Sequence, residues 1–220
     1  NGKFKPLHLF NPARISFIKD KLISHFKLNS NDEKPLKGLK ILDIGCGGGL
    51  LCEPLNRLGA KITGIDASSD NIEVAKLHSK EMGLNIEYIC CPPENLNFSN
   101  EFDVILNMEV VEHVPEPKSY LLTCSRLLKK NGLMTCSTIN RNYKSYLWAI
   151  IGAEYIMKWL PKKTHEWNKF IKPEELCNFI EQSNLNVIDK RGFVFNFLKW
   201  NWNLSHQDLS VNFVVSSIKN

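Results

Sequence analysis

Apolar positions along the chain follow two spacings, one typical of helices and the other of buried strands. In residues 13–27, Ile15, Ile18, Leu22 and Phe26 lie three and four positions apart, which places them on one helical face. A polar loop with Asn, Ser, Asp and Pro comes next. After this loop, short apolar runs alternate with amphipathic segments. The pattern predicts an N-terminal helix followed by a repeating strand–helix unit.

The alternation continues through most of the chain with short connections, which indicates a parallel α/β sheet. Predicted strands cover residues 40–44, 61–66, 86–90, 102–108, 133–139, 187–195 and 209–218, and predicted helices cover 50–58, 69–82, 117–128 and 173–182. We therefore predict a single doubly wound α/β domain over residues 1–220, with a mixed seven-stranded sheet whose last strand is antiparallel. An insert at about residues 140–170 interrupts the rhythm, and residues 201–208 are polar enough to be a loop.

Composition narrows the range of partners. The net charge of +5 is compatible with an anionic membrane surface or an acidic ligand. It is too small, and its basic residues are too scattered, to indicate nucleic acid binding. The chain has seven cysteines without zinc-type spacing, which we interpret as reduced thiols in an intracellular compartment.

A glycine-rich loop joins the first predicted strand to the next helix and carries the pattern D-x-G-x-G-x-G from Asp43 to Gly49. The dinucleotide fingerprint, begun at Gly45, would need glycine where the chain has Leu50, which disfavours a nicotinamide dehydrogenase. Asp66 ends the next strand, where a carboxylate can accept hydrogen bonds from ribose hydroxyls. Together these features favour a nucleoside ligand without pyrophosphate, such as S-adenosylmethionine.

An acidic cluster with a histidine, Glu109, Glu112 and His113, follows the predicted strand 102–108. If this segment is helical, the three side chains share one face, because they lie at positions i, i+3 and i+4. Two carboxylates and an imidazole can bind a divalent cation. His113 is alternatively a candidate general base, because imidazole titrates near neutral pH. Helix capping or pocket lining without metal is the remaining interpretation.

The insert carries an aromatic and aliphatic stripe, Trp148, Ile151, Tyr155 and Trp159, at helical spacing. Such a helix, flanked by lysines, could lie in a membrane interface or form a lid over an apolar ligand. A helix packed on the domain core fits the same pattern, so the sequence leaves these alternatives open.

With its glycine loop, the chain resembles the class I methyltransferases, and further motifs resemble the ubiquinone-biosynthesis O-methyltransferases and their mitochondrial counterpart. These motifs are Lys5-Pro6-Leu7-His8, Asn11-Pro12-x-Arg14, Glu109-x-x-Glu112-His113-Val114, Gly152-Ala153-Glu154-Tyr155 and Pro161-Lys162-Lys163-Thr164-His165. The likeness extends from Phe4 to about Val214. It weakens near the C-terminus, where the family's Tyr-Asn-Pro run is replaced by an aromatic stretch that includes Trp200 and Trp202.

The resemblance implies methyl transfer from S-adenosylmethionine to a catechol-type hydroxyl of a polyprenylated ubiquinone precursor, at the 3,4-dihydroxy-5-polyprenylbenzoate and demethylubiquinol steps. It implies donor contacts from Arg14, Gly45, Gly47, Asp66 and Met108. It also implies a divalent metal, Mg²⁺ by preference, on Glu109, Glu112 and His113, and a substrate-side role for His165. Without the resemblance, Arg14 on an amphipathic helix would be expected at the surface, where most arginines lie.

The same resemblance implies a peripheral protein on the matrix side of the mitochondrial inner membrane, with a bacterial cytoplasmic protein as the alternative. Its expected partners are the polyprenylated catechol, a membrane surface and a multiprotein ubiquinone-synthesis complex, and no nucleic acid. Two other functions stay open from the sequence. One is a class I methyltransferase of a different small-molecule acceptor, and the other is a nonenzymatic S-adenosylmethionine-binding subunit of that complex.

Overall fold

The computed structural model describes residues 5–145, 169–196 and 198–220. Its strands are β1 (Lys40–Ile44), β2 (Lys61–Asp66), β3 (Glu87–Cys90), β4 (Phe102–Met108), β5 (Leu128–Ile139), β6 (Leu185–Asn196), β7 (Asn201–Ser205) and β8 (Asn212–Lys219). Its helices are α1 (Lys5–Phe26), α2 (Cys52–Arg57), α3 (Ser69–Glu81), α4 (Pro117–Leu127), the short α5 (Tyr143–Ser145) and α6 (Pro173–Glu181). Two 3-10 turns lie at Pro93–Asn95 and Val111–His113.

All described strands join in one sheet of order β3-β2-β1-β4-β5-β8-β6-β7. The first five are parallel, whereas β8 runs antiparallel to both of its neighbours and β7 runs antiparallel to β6. The order reverses between β1 and β4, and ligands of doubly wound sheets bind at the carboxyl ends of the strands at such a point. The predicted α/β fold with an antiparallel last strand is confirmed.

The sheet has eight strands rather than the predicted seven. The additional strand is β7, which lies within the segment predicted to be a loop, and it pairs with the end of β6. Asparagine is depleted in strands, which makes the segment look like a loop. Packing decides otherwise, because the Trp202 ring lies 4.6 Å from the Phe10 ring of α1 and 5.3 Å from the Phe195 ring of β6.

Each face of the sheet is covered by a separate layer of helices. Alternate residues of β1 point to opposite layers, so Ile41 packs with α1, α2 and α3, whereas Leu42 and Ile44 pack with α4 and α6. The predicted N-terminal helix is confirmed as α1, with Ile18 and Leu22 buried in the first layer.

The proposed insert lies largely outside the described residues, which include α5 from it but not 146–168. The aromatic stripe and His165 therefore stay predictions. Within the described part of the chain, no helix combines the length and the apolar character needed to cross a membrane.

Candidate active site

The loop after β1 needs glycine at two positions. Gly45 has a φ of +69°, and a Cβ there would collide with the Val110 side chain. Gly49 has a φ of +84°, and a Cβ there would collide with the Tyr88 hydroxyl. Only glycine adopts such angles readily and leaves the space that the neighbouring side chains occupy. The loop thus presents bare backbone at the carboxyl edge of the sheet.

Asp66, at the end of β2, is held in place by backbone donors. Its carboxylate accepts hydrogen bonds from the Gly47 amide at 2.9 Å and the Ser68 amide at 2.8 Å. The Asn71 side chain donates a third bond at 3.3 Å, and the Ser68 hydroxyl caps α3 by accepting from the Asn71 amide. These bonds fix an acceptor carboxylate between the glycine loop and the first turn of α3.

A cavity of about 690 Å³ opens at the carboxyl ends of β1, β2 and β4. This volume lies within the range of about 300–1,000 Å³ that is typical of small-molecule sites. Four sequence-predicted residues line it, namely Gly45, Asp66, Glu109 and His113. Further lining comes from the segment 91–94 after β3 and from Ser119 and Tyr120 of α4.

Helix α1 brings a buried arginine toward this end of the sheet. Arg14 is only 5% exposed, donates to the Asn11 carboxamide oxygen at 2.8 Å, and lies over the Phe10 ring at 5.2 Å. Burial lowers the pKa of Arg14, while the negative charges of Glu109 and Asp43 oppose that shift. Among the described residues its Nε has no hydrogen-bond partner. A buried guanidinium with a donor to spare is suited to clamping a ligand carboxylate.

Asp43 lies under the glycine loop at the end of β1. Burial raises the pKa of Asp43 to about 6. A hydrogen bond from the Cys52 thiol at 3.2 Å and the positive charge of Arg14 lower this pKa and so oppose the shift. Asn11 connects this region to α1, because its side chain donates to the Leu50 carbonyl at 2.7 Å. α1 and the glycine loop are therefore joined by polar contacts as well as by apolar packing.

The acidic cluster does not lie on the single face that a helical segment would have given it. Glu109 has a φ of +61°, so the chain leaves β4 in a sharp turn, and only Val111–His113 form a 3-10 turn. The Glu109 carboxylate accepts a hydrogen bond at 2.8 Å from the Ser137 hydroxyl of β5. This bond directs Glu109 toward the next strand, whereas Glu112 is buried and His113 lies at the cavity surface.

Glu112 is a buried carboxyl of unusual basicity. Burial, followed by the negative charge of Glu109, raises the pKa of Glu112 to about 8. Its Oε2 has no hydrogen-bond partner among the described residues. At neutral pH the native state therefore holds a proton on Glu112, which the unfolded chain would release.

A Glu112→Gln variant should remove this proton uptake. Between pH 5.5 and 7.5 the native wild type binds more protons than the unfolded chain, so its free energy of unfolding should fall as pH rises, by up to about 1.4 kcal/mol per pH unit. Urea unfolding in metal-free buffer at both pH values measures this slope. The variant should show a flatter dependence, and Glu116→Gln, at an exposed site four residues on, should follow the wild type. If the free energy of unfolding depended on pH equally in all three proteins, Glu112 would not be the group that takes up the proton.

The structure brings most of the predicted site residues to one edge of the sheet. Met108 is buried at the end of β4, and Gly47 contacts the cavity-lining Asp66. Sequence reasoning missed Asn11, Ser137 and the segment 91–94. That segment directly follows β3, so the rule that ligands lie beyond the carboxyl ends of parallel strands could have found it. Ser137 offered no such signal, since its contact depends on how β4 and β5 pair.

Comparisons with known proteins bear on this site. Residues 14–190 match a family model described as a methyltransferase domain. The chain is 54% identical over 220 residues to a ubiquinone biosynthesis O-methyltransferase of Roseobacter denitrificans, covering 100% of this chain and 89% of the relative. A relative of the same name from Ruegeria sp. is 53% identical over the same shares of each chain. The chain belongs to the ubiquinone biosynthesis O-methyltransferase family.

Solved structures agree on the fold of this family member. A SAM-dependent methyltransferase from Aquifex aeolicus superposes with a TM-score of 0.62 at 16% identity, covering 96% of this chain and 100% of that one. Magnesium protoporphyrin IX methyltransferase from Synechocystis with bound SAH gives a TM-score of 0.65 at 14% identity, covering 94% and 82%. The chain therefore has the class I methyltransferase fold.

Proposed function

We propose that this enzyme methylates a catechol-type hydroxyl of a polyprenylated ubiquinone precursor, at the dihydroxybenzoate and demethylubiquinol steps. The observation that carries the proposal is the 54% identity, over the whole chain, to a protein named for ubiquinone biosynthesis. The cavity supports it, because its wall combines a carboxylate suited to a ribose, Asp66, with an imidazole suited to a phenol, His113.

We propose that the donor is held by residues from four segments, namely α1, the glycine loop, β2 and β4. Gly45 and Gly47 would lie against it, and the Asp66 carboxylate would accept from its ribose hydroxyls. Arg14 would clamp its carboxylate, for which the partnerless Nε is available. Met108 would contact it from the end of β4. Positioning of both partners in line would then supply most of the rate enhancement.

His113 is proposed to accept the phenolic proton as the oxygen attacks. The new bond forms between the oxygen and the methyl carbon, the bond between that carbon and the sulfonium breaks, and its electron pair stays on sulfur. Proton transfer of this kind contributes about a hundredfold or more to a rate. The lining of the cavity supports this role, since His113 and Glu109 both face it.

We also propose Glu109, Glu112 and His113 as ligands of a divalent cation, with Mg²⁺ first. The mutual repulsion of the two carboxyls and the partnerless Glu112 Oε2 support it, because a cation would relieve both. In the described part of the chain, however, no three such side chains converge as a ligand set, so His113 or Glu109 would have to turn. When bound, the cation would lower the pKa of the phenol.

An acceptor comparison tests the proposal. We expect higher kcat/KM on a prenylated catechol than on the same ring without its tail, because the tail adds apolar contact area. Equal or better turnover without the tail would assign a different small-molecule acceptor. Each assay is repeated after chelation and after return of Mg²⁺, and activity that survives chelation would remove the cation proposal while leaving the methyl transfer intact.

The surroundings of the enzyme are proposed as well. From the family we propose that His165 lies on the substrate side of the site. We also propose, on the same ground, that the enzyme has a membrane surface and a ubiquinone-synthesis complex as partners. Two compartments fit, the matrix side of the mitochondrial inner membrane and the bacterial cytoplasm, and the relatives named above are bacterial. Activity in membrane and supernatant fractions of the native cell would test the membrane partner.

A further inference from the structure

The side chain of Asn11 bridges helix α1 and the residue that directly follows the glycine loop. Its Nδ2 donates to the Leu50 carbonyl at 2.7 Å, and its Oδ1 accepts from Arg14 Nη2 at 2.8 Å. Asn11 and Arg14 are both buried, so these bonds lie largely out of water. Asn11 thus joins two parts of the proposed donor site, Arg14 and the glycine loop, although it is not itself one of the proposed donor contacts.

The Leu50 carbonyl needs a donor from outside its own segment. The carbonyls of its neighbours, Gly49 and Leu51, accept from the amides four residues further on, at 3.1 Å and 3.3 Å. The corresponding bond to Leu50 cannot form, because the residue four positions on is Pro54, which has no N–H. Backbone carbonyls away from water are seldom left unpaired. Asn11 supplies the donor that the proline lacks.

The two partners allow the Asn11 carboxamide one orientation. A carbonyl only accepts and a guanidinium only donates, so Nδ2 must face Leu50 and Oδ1 must face Arg14. Asn11 and Arg14 are neighbours on one face of α1, since they lie three positions apart. The bond to Nη2 therefore fixes the guanidinium relative to the glycine loop. It leaves Nε, which no group in the described part of the chain engages, available to a ligand.

Asparagine is a poor residue at this position for α1 itself. Its helix propensity is low, and the residue that follows it, Pro12, disfavours the helical conformation in the residue before it. Alanine or leucine would suit the helix better. A residue that disfavours its own helix but makes specific contacts elsewhere is the kind of local conflict that functional positions show.

We propose that Asn11 is a positioning residue for the methyl donor, S-adenosylmethionine. Its carboxamide fixes the Arg14 guanidinium in the orientation that pairs with the donor's carboxylate. The inference rests on the proposed donor site, in which Arg14 makes that pair. Asn11 acts through Arg14 and does not touch the donor, so its effect should be confined to ligands that carry the carboxylate.

Two ligands that differ only in the carboxylate test the proposal, S-adenosylmethionine and decarboxylated S-adenosylmethionine. Asn11→Ala should weaken binding of the first about tenfold and that of the second less than about twofold, because only the charged hydrogen bonds to the carboxylate lose their alignment. Asn11→Asp should also weaken binding of S-adenosylmethionine, since the new carboxylate competes for the guanidinium. It should bind the decarboxylated cation at least as well as the wild type does. Calorimetric titration of the full chain measures each affinity.

Two controls assign the effect to Arg14. In an Arg14→Met background, Asn11→Ala should cause no further loss of affinity for S-adenosylmethionine, because the effects of residues that act through one contact are not additive. Asn56→Ala on α2 is the matched control, since the Asn56 side chain also donates to main-chain carbonyls, those of Ala60 and Asn85. This variant should bind both ligands like the wild type.

Three results would overturn the proposal: unchanged affinity for S-adenosylmethionine in Asn11→Ala, equal weakening of both ligands, or an undiminished loss in the Arg14→Met background. Asn11→Asp, which has the size of the native residue, decides the case if Asn11→Ala does not fold. If Arg14→Met binds S-adenosylmethionine like the wild type, the proposed pairing of Arg14 fails and the inference fails with it. If Arg14→Met loses affinity and Asn11→Ala does not, the proposed donor site stands and only the role of Asn11 is rejected.

Discussion

Replacing Asp66 with alanine is expected to weaken binding of S-adenosylmethionine about a hundredfold or more. The carboxylate would accept the ribose hydroxyls, and each hydrogen bond to a charged group is worth about 1.5–3 kcal/mol. The substitution also removes the partner of the Gly47 and Ser68 amides, which loosens the glycine loop. Calorimetric titration with S-adenosylhomocysteine measures the loss directly, without any assumption about the acceptor.

Two further variants separate the carboxylate's role from a general effect of charge. Asp66→Asn keeps one acceptor oxygen and should bind with intermediate affinity. Asp70→Ala removes an exposed carboxylate from the first turn of α3, four residues on, and should bind like the wild type. Wild-type affinity in Asp66→Ala would place the ribose elsewhere in the cavity.

Replacing His113 with asparagine is expected to lower kcat by about a hundredfold to ten-thousandfold while donor affinity is unchanged. Asparagine retains a polar side chain and cannot accept the phenolic proton. The measurement is kcat at saturating donor together with S-adenosylhomocysteine affinity. His25→Asn is the control, because His25 is bonded to the Asn131 carbonyl near the far end of α1. If kcat fell equally in His113→Asn and His25→Asn, His113 would have no specific role in the reaction.

Chelation distinguishes the two proposed roles of His113. If His113 acts as the base, the wild type retains activity in chelator, and the pH dependence of kcat loses its lower limb in His113→Asn. If His113 acts as a metal ligand, chelator lowers wild-type activity toward that of the variant, and His113→Asn should raise the Mg²⁺ concentration needed for half-maximal rate. Both outcomes retain the methyl transfer itself.

Elements with a strong local pattern were predictable from the sequence. The strand β4 was predicted with the bounds that the structure has, and α3 begins at the predicted residue, Ser69. Periodic apolar positions and caps act over a few residues, so they are visible in the chain itself. The loop from Gly45 to Gly49 and the position of Asp66 were predictable for the same reason, because both follow a buried parallel strand directly.

The errors lie where distant segments meet. β7 lies in the segment 201–208, which was predicted to be a loop because it is polar, yet Trp202 packs on Phe10, which is far away in the sequence. The condition for a shared helical face of the acidic cluster is not met, since Glu109 turns toward Ser137 on the neighbouring strand. The burial of Arg14 likewise depends on where α1 packs.

By itself, then, the sequence determined the α/β fold, the donor loop with its acidic partner, and the resemblance that led to the family. Each depends on residues that are neighbours in the chain, where spacing and residue type decide the conformation. Only the tertiary structure decided the eighth strand, the buried setting of Arg14 and the turn of Glu109 toward Ser137. These depend on packing between elements far apart in the sequence, which local patterns do not encode.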